Sequence, residues 1–185
     1  MKPIILLVAA SALPLAGCAS INTFGSNLGL TQKPSAAAAE LRGSGGQALG
    51  RASATQVANG TRVVIEATGL PPGTYAAHIH TTGRCDGPDF TSAGGHWNPV
   101  GRQHGSRNPQ GPHVGDLPNL VVGPNGRGSI AYVIPAAYLV LSAAPMLDED
   151  GAAVVVHAGP DDYRTDPSGN SGARIACGVL RPSSR

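Results

Sequence analysis

The sequence predicts an all-β domain, an eight-stranded Greek-key barrel or sandwich. Three observations carry that expectation. Eight short segments rich in Val, Ile, Thr and Ala are separated by Gly-, Pro- and Asn-containing breaks, most of them of hairpin length. No segment offers a convincing amphipathic helical period. The composition is that of a turn-rich chain, with 26 Gly and 16 Pro among 185 residues. Charged residues make up only 13%, about half the usual share.

The chain opens with MKPIILLVAASALPLAGC. One Lys, an apolar run of about thirteen residues and small residues before a Cys make a secretory signal, too short to span a bilayer comfortably. Leu15, Ala16, Gly17 and Cys18 resemble a bacterial lipobox, in which Cys18 becomes the lipidated first residue. Residues 1–17 are therefore expected to be removed. Residues 18–35, rich in Ser, Asn, Thr, Gly and Gln, are expected to tether residues 36–185 to a membrane on the periplasmic side. Ala19 carries no signal for inner-membrane retention, which points to the outer membrane.

The strands follow in order. AAAAELRG, ALGRASATQV, TRVVIEATGL and TYAAHIH fall between Ala36 and His80, separated by GSGG, ANG and PPG. GDLPNLVV and GSIAYVI flank a turn at Gly123–Gly126, and GAAVVVHA and ARIACGVL close the set. Ala136 to Met146 reads as a loop with one short extended piece. The core must be mainly Val, Ile, Leu and Ala, since aromatics are only 4%.

Between the fourth and fifth strands lies the stretch that gives the chain its chemistry. His78 and His80 stand at i and i+2 on a predicted strand, so their rings point to one face. About thirty loop residues follow, longer than compact domains tolerate unless the loop is functional. They carry His96, His104, His113 and Asp116, and His157 lies far downstream. Six imidazoles and a carboxylate are too many for one tetrahedral ion and one ligand short of two. A ring shared between two ions would close that gap, as would a water.

AHIH, SAGGHWNP, PHVGDLPN, VVVHAGPDD and GNSGARIACGV resemble, in order and spacing, the motifs of the copper/zinc superoxide dismutases. The resemblance covers about Ala36 to Leu180. It implies an immunoglobulin-like Greek-key fold with long metal-binding and channel loops. It implies copper on His78, His80, His96 and His157, zinc on His96, His104, His113 and Asp116, and His96 as the bridging ring. Asp161 would link a copper histidine to a zinc histidine, Arg174 would attract the substrate anion, and Cys85 would pair with Cys177.

The activity so implied converts two superoxide anions and two protons to oxygen and hydrogen peroxide by alternate reduction and oxidation of copper. The competing expectation is a periplasmic metal-binding lipoprotein that stores or delivers copper or zinc without turnover; Arg174 argues against it, since a store needs no anion-attracting guanidinium. The family includes monomers and homodimers. A net charge of +2 gives no nucleic-acid signature.

Overall fold

The computed structural model describes residues 34–140 and 142–183. The export signal, Cys18 and nearly all of the tether lie outside the described residues. Among the described residues there are nine strands and no α-helix, with one 3₁₀ turn at Thr91–Ala93. The strands are β1 (Ala36–Gly43), β2 (Ala48–Val57), β3 (Gly60–Ala67), β4 (Gly73–Tyr75), β5 (Ala77–His80), β6 (Leu120–Val122), β7 (Gly128–Pro135), β8 (Ala152–His157) and β9 (Arg174–Pro182).

All nine form one antiparallel sheet in the order β4-β6-β7-β3-β2-β1-β9-β8-β5. Its two outer strands, β4 and β5, are consecutive pieces of one segment, so the sheet curls into a nearly closed barrel. β1, β2 and β3 follow one another as hairpins, whereas β7 joins β3 and β9 joins β1 after long excursions, the Greek-key pattern.

The ninth strand comes from TYAAHIH, expected to be one strand. The segment changes partner at Ala76: Tyr75 pairs with Leu120 on β6, and Ala77 pairs with Val156 on β8. At the switch, Ala76 donates its N–H to Gly159 O and accepts the N–H of His157. GDLPNLVV is shorter than expected, because only Leu120–Val122 joins the sheet. Pro118 has no N–H to donate, and the N–H of Asn119 goes to the Tyr163 hydroxyl. Ala136 to Met146 is loop, as expected, with Met146 and Leu147 donating to the carbonyls of Tyr138 and Leu139.

Alternation explains the interior. β1 buries every second residue, and Leu41, Val63, Ile65, Ile79, Leu120 and Val154 meet in the main core. β5 and β8 are buried on both faces. On β5, Ala77 and Ile79 face that core, while His78 and His80 face outward and are covered by loops. A smaller core outside the barrel, made of Phe90, Ala93, Ala153, Val155 and Cys177, fastens the loop after β5 to β8 and β9. The disulfide Cys85–Cys177 spans that contact.

Candidate metal centre

The outward face of β5 begins the site. His78 and His80 are fully buried, and loop backbone lies directly against their strand. Ile79 N–H bonds Gly115 O, and Trp97 N–H bonds Ile79 O. The approach is so close that a Cβ on Gly115 would stand 2.4 Å from Ile79 O. His96 is thereby laid beside His80, and Asp116 beside His78. His157 ends β8 at an irregularity in its register with β9, opposite Arg174.

Hydrogen bonds settle which nitrogen each ring presents inward. The Nδ1–H of His80 donates to Gly94 O at 2.8 Å, and that of His157 to Gly172 O at 3.2 Å. Carbonyls can only accept, so both rings leave an Nε2 lone pair. The Nε2–H of His78 donates to the Asp161 carboxylate at 3.1 Å, which leaves Nδ1. Those three nitrogens and His96 Nε2 are buried without a hydrogen-bond partner among the described residues. Ligand atoms of these four residues lie within 4.8 Å of one another. Burial makes the lone pairs available at neutral pH: it lowers His78 to about 3, His80 to about 2 and His157 to about 4, and it lowers His96 as well.

A second set adjoins the first through the other nitrogen of His96. Asp116 Oδ1 lies 2.9 Å from His96 Nδ1, 3.0 Å from His104 Nδ1 and 3.3 Å from His113 Nδ1. His96 and His113 Nδ1 are 3.3 Å apart. Bonds of about 2.0–2.1 Å from a tetrahedral ion place ligand atoms about 3.3–3.4 Å apart, so these spacings fit one small cation. The other Asp116 oxygen accepts the N–H groups of Gly105 and His113. His78 is near enough to His96, His104 and Asp116 to be a competing fourth member. Its Nε2 is engaged by Asp161 and its Nδ1 is one of the four orphaned nitrogens of the first set, whereas His113 Nδ1 lies 3.3 Å from Asp116 Oδ1. At His104 burial favours the neutral ring, but the carboxylates of Asp116 and Asp161 outweigh it and push the ring up to about 9. The same proton holds both carboxyls well below their usual range against the opposing effect of burial. This pocket stabilises positive charge, whether on a ring or on an ion.

Asp161 joins the sets, taking His78 Nε2–H on one oxygen and His104 Nε2–H on the other at 2.9 Å. The Arg174 guanidinium is held by two carbonyls, Phe90 O and Gly94 O, each at 2.7 Å. It lines a cleft of about 430 Å³ with His80, His96, His113 and His157. Larger hollows lie elsewhere on the surface, and one more lies against His113 and Asp116.

A family model described as copper/zinc superoxide dismutase matches residues 48–180. The chain belongs to the copper/zinc superoxide dismutase family. It is 44% identical over 145 residues to the Cu-Zn superoxide dismutase 2 of Aquifex aeolicus, covering 77% of this chain and 85% of that protein. It is 38% identical over 148 residues to the Cu-Zn superoxide dismutase of Caulobacter vibrioides, covering 78% and 85%. The crystal structure of a SOD-like protein from Bacillus subtilis superposes with a TM-score of 0.73 at 42% identity, covering 78% of this chain and 97% of that one.

Superoxide dismutases of this family imply copper and zinc, and the residues present fit both. Four orphaned, buried imidazole nitrogens suit copper, and three imidazoles with a carboxylate suit zinc. The structure brings together every histidine singled out in the sequence, with Asp116, Asp161 and Arg174, and it forms the Cys85–Cys177 bridge. Sequence reasoning missed the supports. Asp166 accepts the His104 N–H, Asn119 exchanges hydrogen bonds with the Asp161 backbone, and Tyr163 donates its N–H to the Asp161 carboxylate. The sequence carried one weak signal, the dense run of polar residues from Asp161 to Asn170.

Proposed function

We propose that this chain is a superoxide dismutase, with copper held by His78, His80, His96 and His157, zinc by His96, His104, His113 and Asp116, and His96 shared. The observation that carries the reading is the set of four buried lone pairs, three of them on rings lining a cleft that also holds a fixed guanidinium. In the overall reaction one superoxide is oxidised to oxygen while a second, with two protons, is reduced to hydrogen peroxide. Copper, when bound, supplies the two oxidation states that pass the electron between them.

The chain's own residues supply the rest. Arg174 stays protonated at any relevant pH, and its two carbonyl anchors keep the charge beside His80 and His157, where it draws in and orients a small anion. His96 is the ring with one nitrogen in each set, so its Nε2 is the atom placed to hold and release a proton at the cleft. Asp161 fixes His78 and His104 in the tautomers that leave Nδ1 for an ion. Residues 1–17 direct export, Cys18 carries lipid, and residues 18–35 tether the domain in the periplasm, with the outer membrane as the anchor.

Protein loaded with one copper and one zinc per chain should accelerate superoxide decay in a pulse-radiolysis assay. His157→Ala should abolish the acceleration. Full loading without turnover would overturn the reading in favour of metal storage.

A further inference from the structure

Resting on the zinc assignment above, we infer that His113 is the releasable ligand of that set and that zinc exchanges through its own cleft, separate from the one that serves superoxide. Three independent observations meet here. Each of the other histidines has both ring nitrogens committed: His78, His80, His104 and His157 donate their outer N–H to Asp161, Gly94, Asp161 and Gly172, and His96 places one nitrogen in each set. His113 does not. Among the described residues its Nε2 stands 3.8 Å from the nearest carboxylate oxygen, on Asp166, beyond hydrogen-bond reach. Ligating histidines almost always have that outer bond, which holds the ring in place, and its loss typically costs 10–100-fold in affinity.

His113 also has the most exposed ring of the constellation. Its side chain is 9% accessible, against 0% for His78 and His104 and 4% for His96. The third observation is where that exposure leads. A hollow of about 690 Å³ between Trp97 and Val100 on one side and Tyr132 and Tyr138 on the other reaches His113 and Asp116 and none of the residues exclusive to the copper set. The substrate cleft, by contrast, reaches His80, His96 and His157 and touches His113 alone among the residues exclusive to the zinc set. His104 is sealed by its own partners, so an ion leaves that set past His113 and Asp116. Rotation of the unheld ring into the larger hollow opens the shell while the shared ring and the copper set stay in place.

The test measures transfer of zinc from fully loaded protein to an excess of a chromogenic chelator, with copper transfer to a cuprous chelator followed in parallel under reductant. Ala143→Trp, on the exposed wall of the larger hollow, should slow zinc transfer by about tenfold, a barrier rise of about 1.4 kcal/mol, and leave copper transfer unchanged. Ser168→Trp, in the substrate cleft, should do the reverse. If Ala143→Trp fails to load one zinc per chain, Val100→Trp, at a position 61% exposed, replaces it. Zinc transfer insensitive to the first plug, or slowed only by the second, overturns the inference. If wild-type protein binds no zinc, the assignment of the set falls instead, which separates the two failures.

Discussion

Replacing Asp161 by Asn isolates the link between the two sets, because the change keeps size and removes one acceptor. Asp161 Oδ1 takes two donors, His104 Nε2–H at 2.9 Å and Tyr163 N–H at 2.6 Å, while Oδ2 takes His78 Nε2–H at 3.1 Å. An amide has one oxygen, and it will settle where two donors converge. Its NH₂ then faces His78 Nε2–H, donor against donor. That ring can relieve the clash only by moving its proton to Nδ1, the nitrogen aimed into the copper set. Copper affinity should therefore fall by about 10–100-fold, or about 1.4–2.7 kcal/mol, and zinc affinity by less, since His104 keeps its partner. Competition titrations against chelators of known strength, run separately for each ion on disulfide-intact protein, measure both. Unchanged copper affinity, or a loss confined to zinc, would refute the assignment of tautomers.

Other expectations follow from the same geometry. In protein stripped of ions by chelation, His78, His80 and His157 have pKa values lowered to about 3, 2 and 4, so the unfolded chain takes up protons first. Stability should be fully present above about pH 6.5 and fall below it by roughly 1 kcal/mol per pH unit for each ring. His104, raised to about 9, contributes stability below about pH 6.5 that disappears as pH climbs through 9. Urea midpoints at pH 5, 7 and 9.5 check both limbs, and a flat profile would contradict the burial argument. Gly169→Ala puts a Cβ 1.8 Å from Asp161 Oδ1 at a φ of +65°, so it should cost about 1–3 kcal/mol and weaken both sets. Thermal unfolding and ion titration of that variant check it. Cys177→Ser opens a bridge between residues 92 apart and should cost about 4–5 kcal/mol by loop entropy. It should also loosen Arg174, whose anchors Phe90 and Gly94 sit on the tethered loop, and flatten the salt dependence of the superoxide rate.

Much of this was legible in the sequence for physical reasons. Period-2 burial is written directly into β1 and β3, and imidazole at i and i+2 on a strand, as on β5, must share a face. The other members of the two sets were identifiable by residue type and by resemblance, though nothing in their spacing says which nitrogen faces inward. That choice is made by backbone carbonyls at Gly94 and Gly172, and a carbonyl has no letter in the sequence. The break at Ala76 was illegible for a related reason. Apolar residues run through it unchanged, and only the positions of β6 and β8 decide where the segment changes partner. The contrast between His113 and the other rings is likewise invisible until distances are known.

The segment Gly73–His80 is a latch. It bonds β6 with its first half and β8 with its second, and its outward residues include two of the four copper ligands proposed here. Until it clicks into both neighbours the sheet keeps two raw borders, each a template on which a second chain could stack, and no copper pocket exists. Its partner β8 lies more than seventy residues downstream, so this pairing belongs among the slowest to form as the chain folds. Copper retention would thus report that the barrel has shut, and an ion caught in the pocket would keep it from springing open.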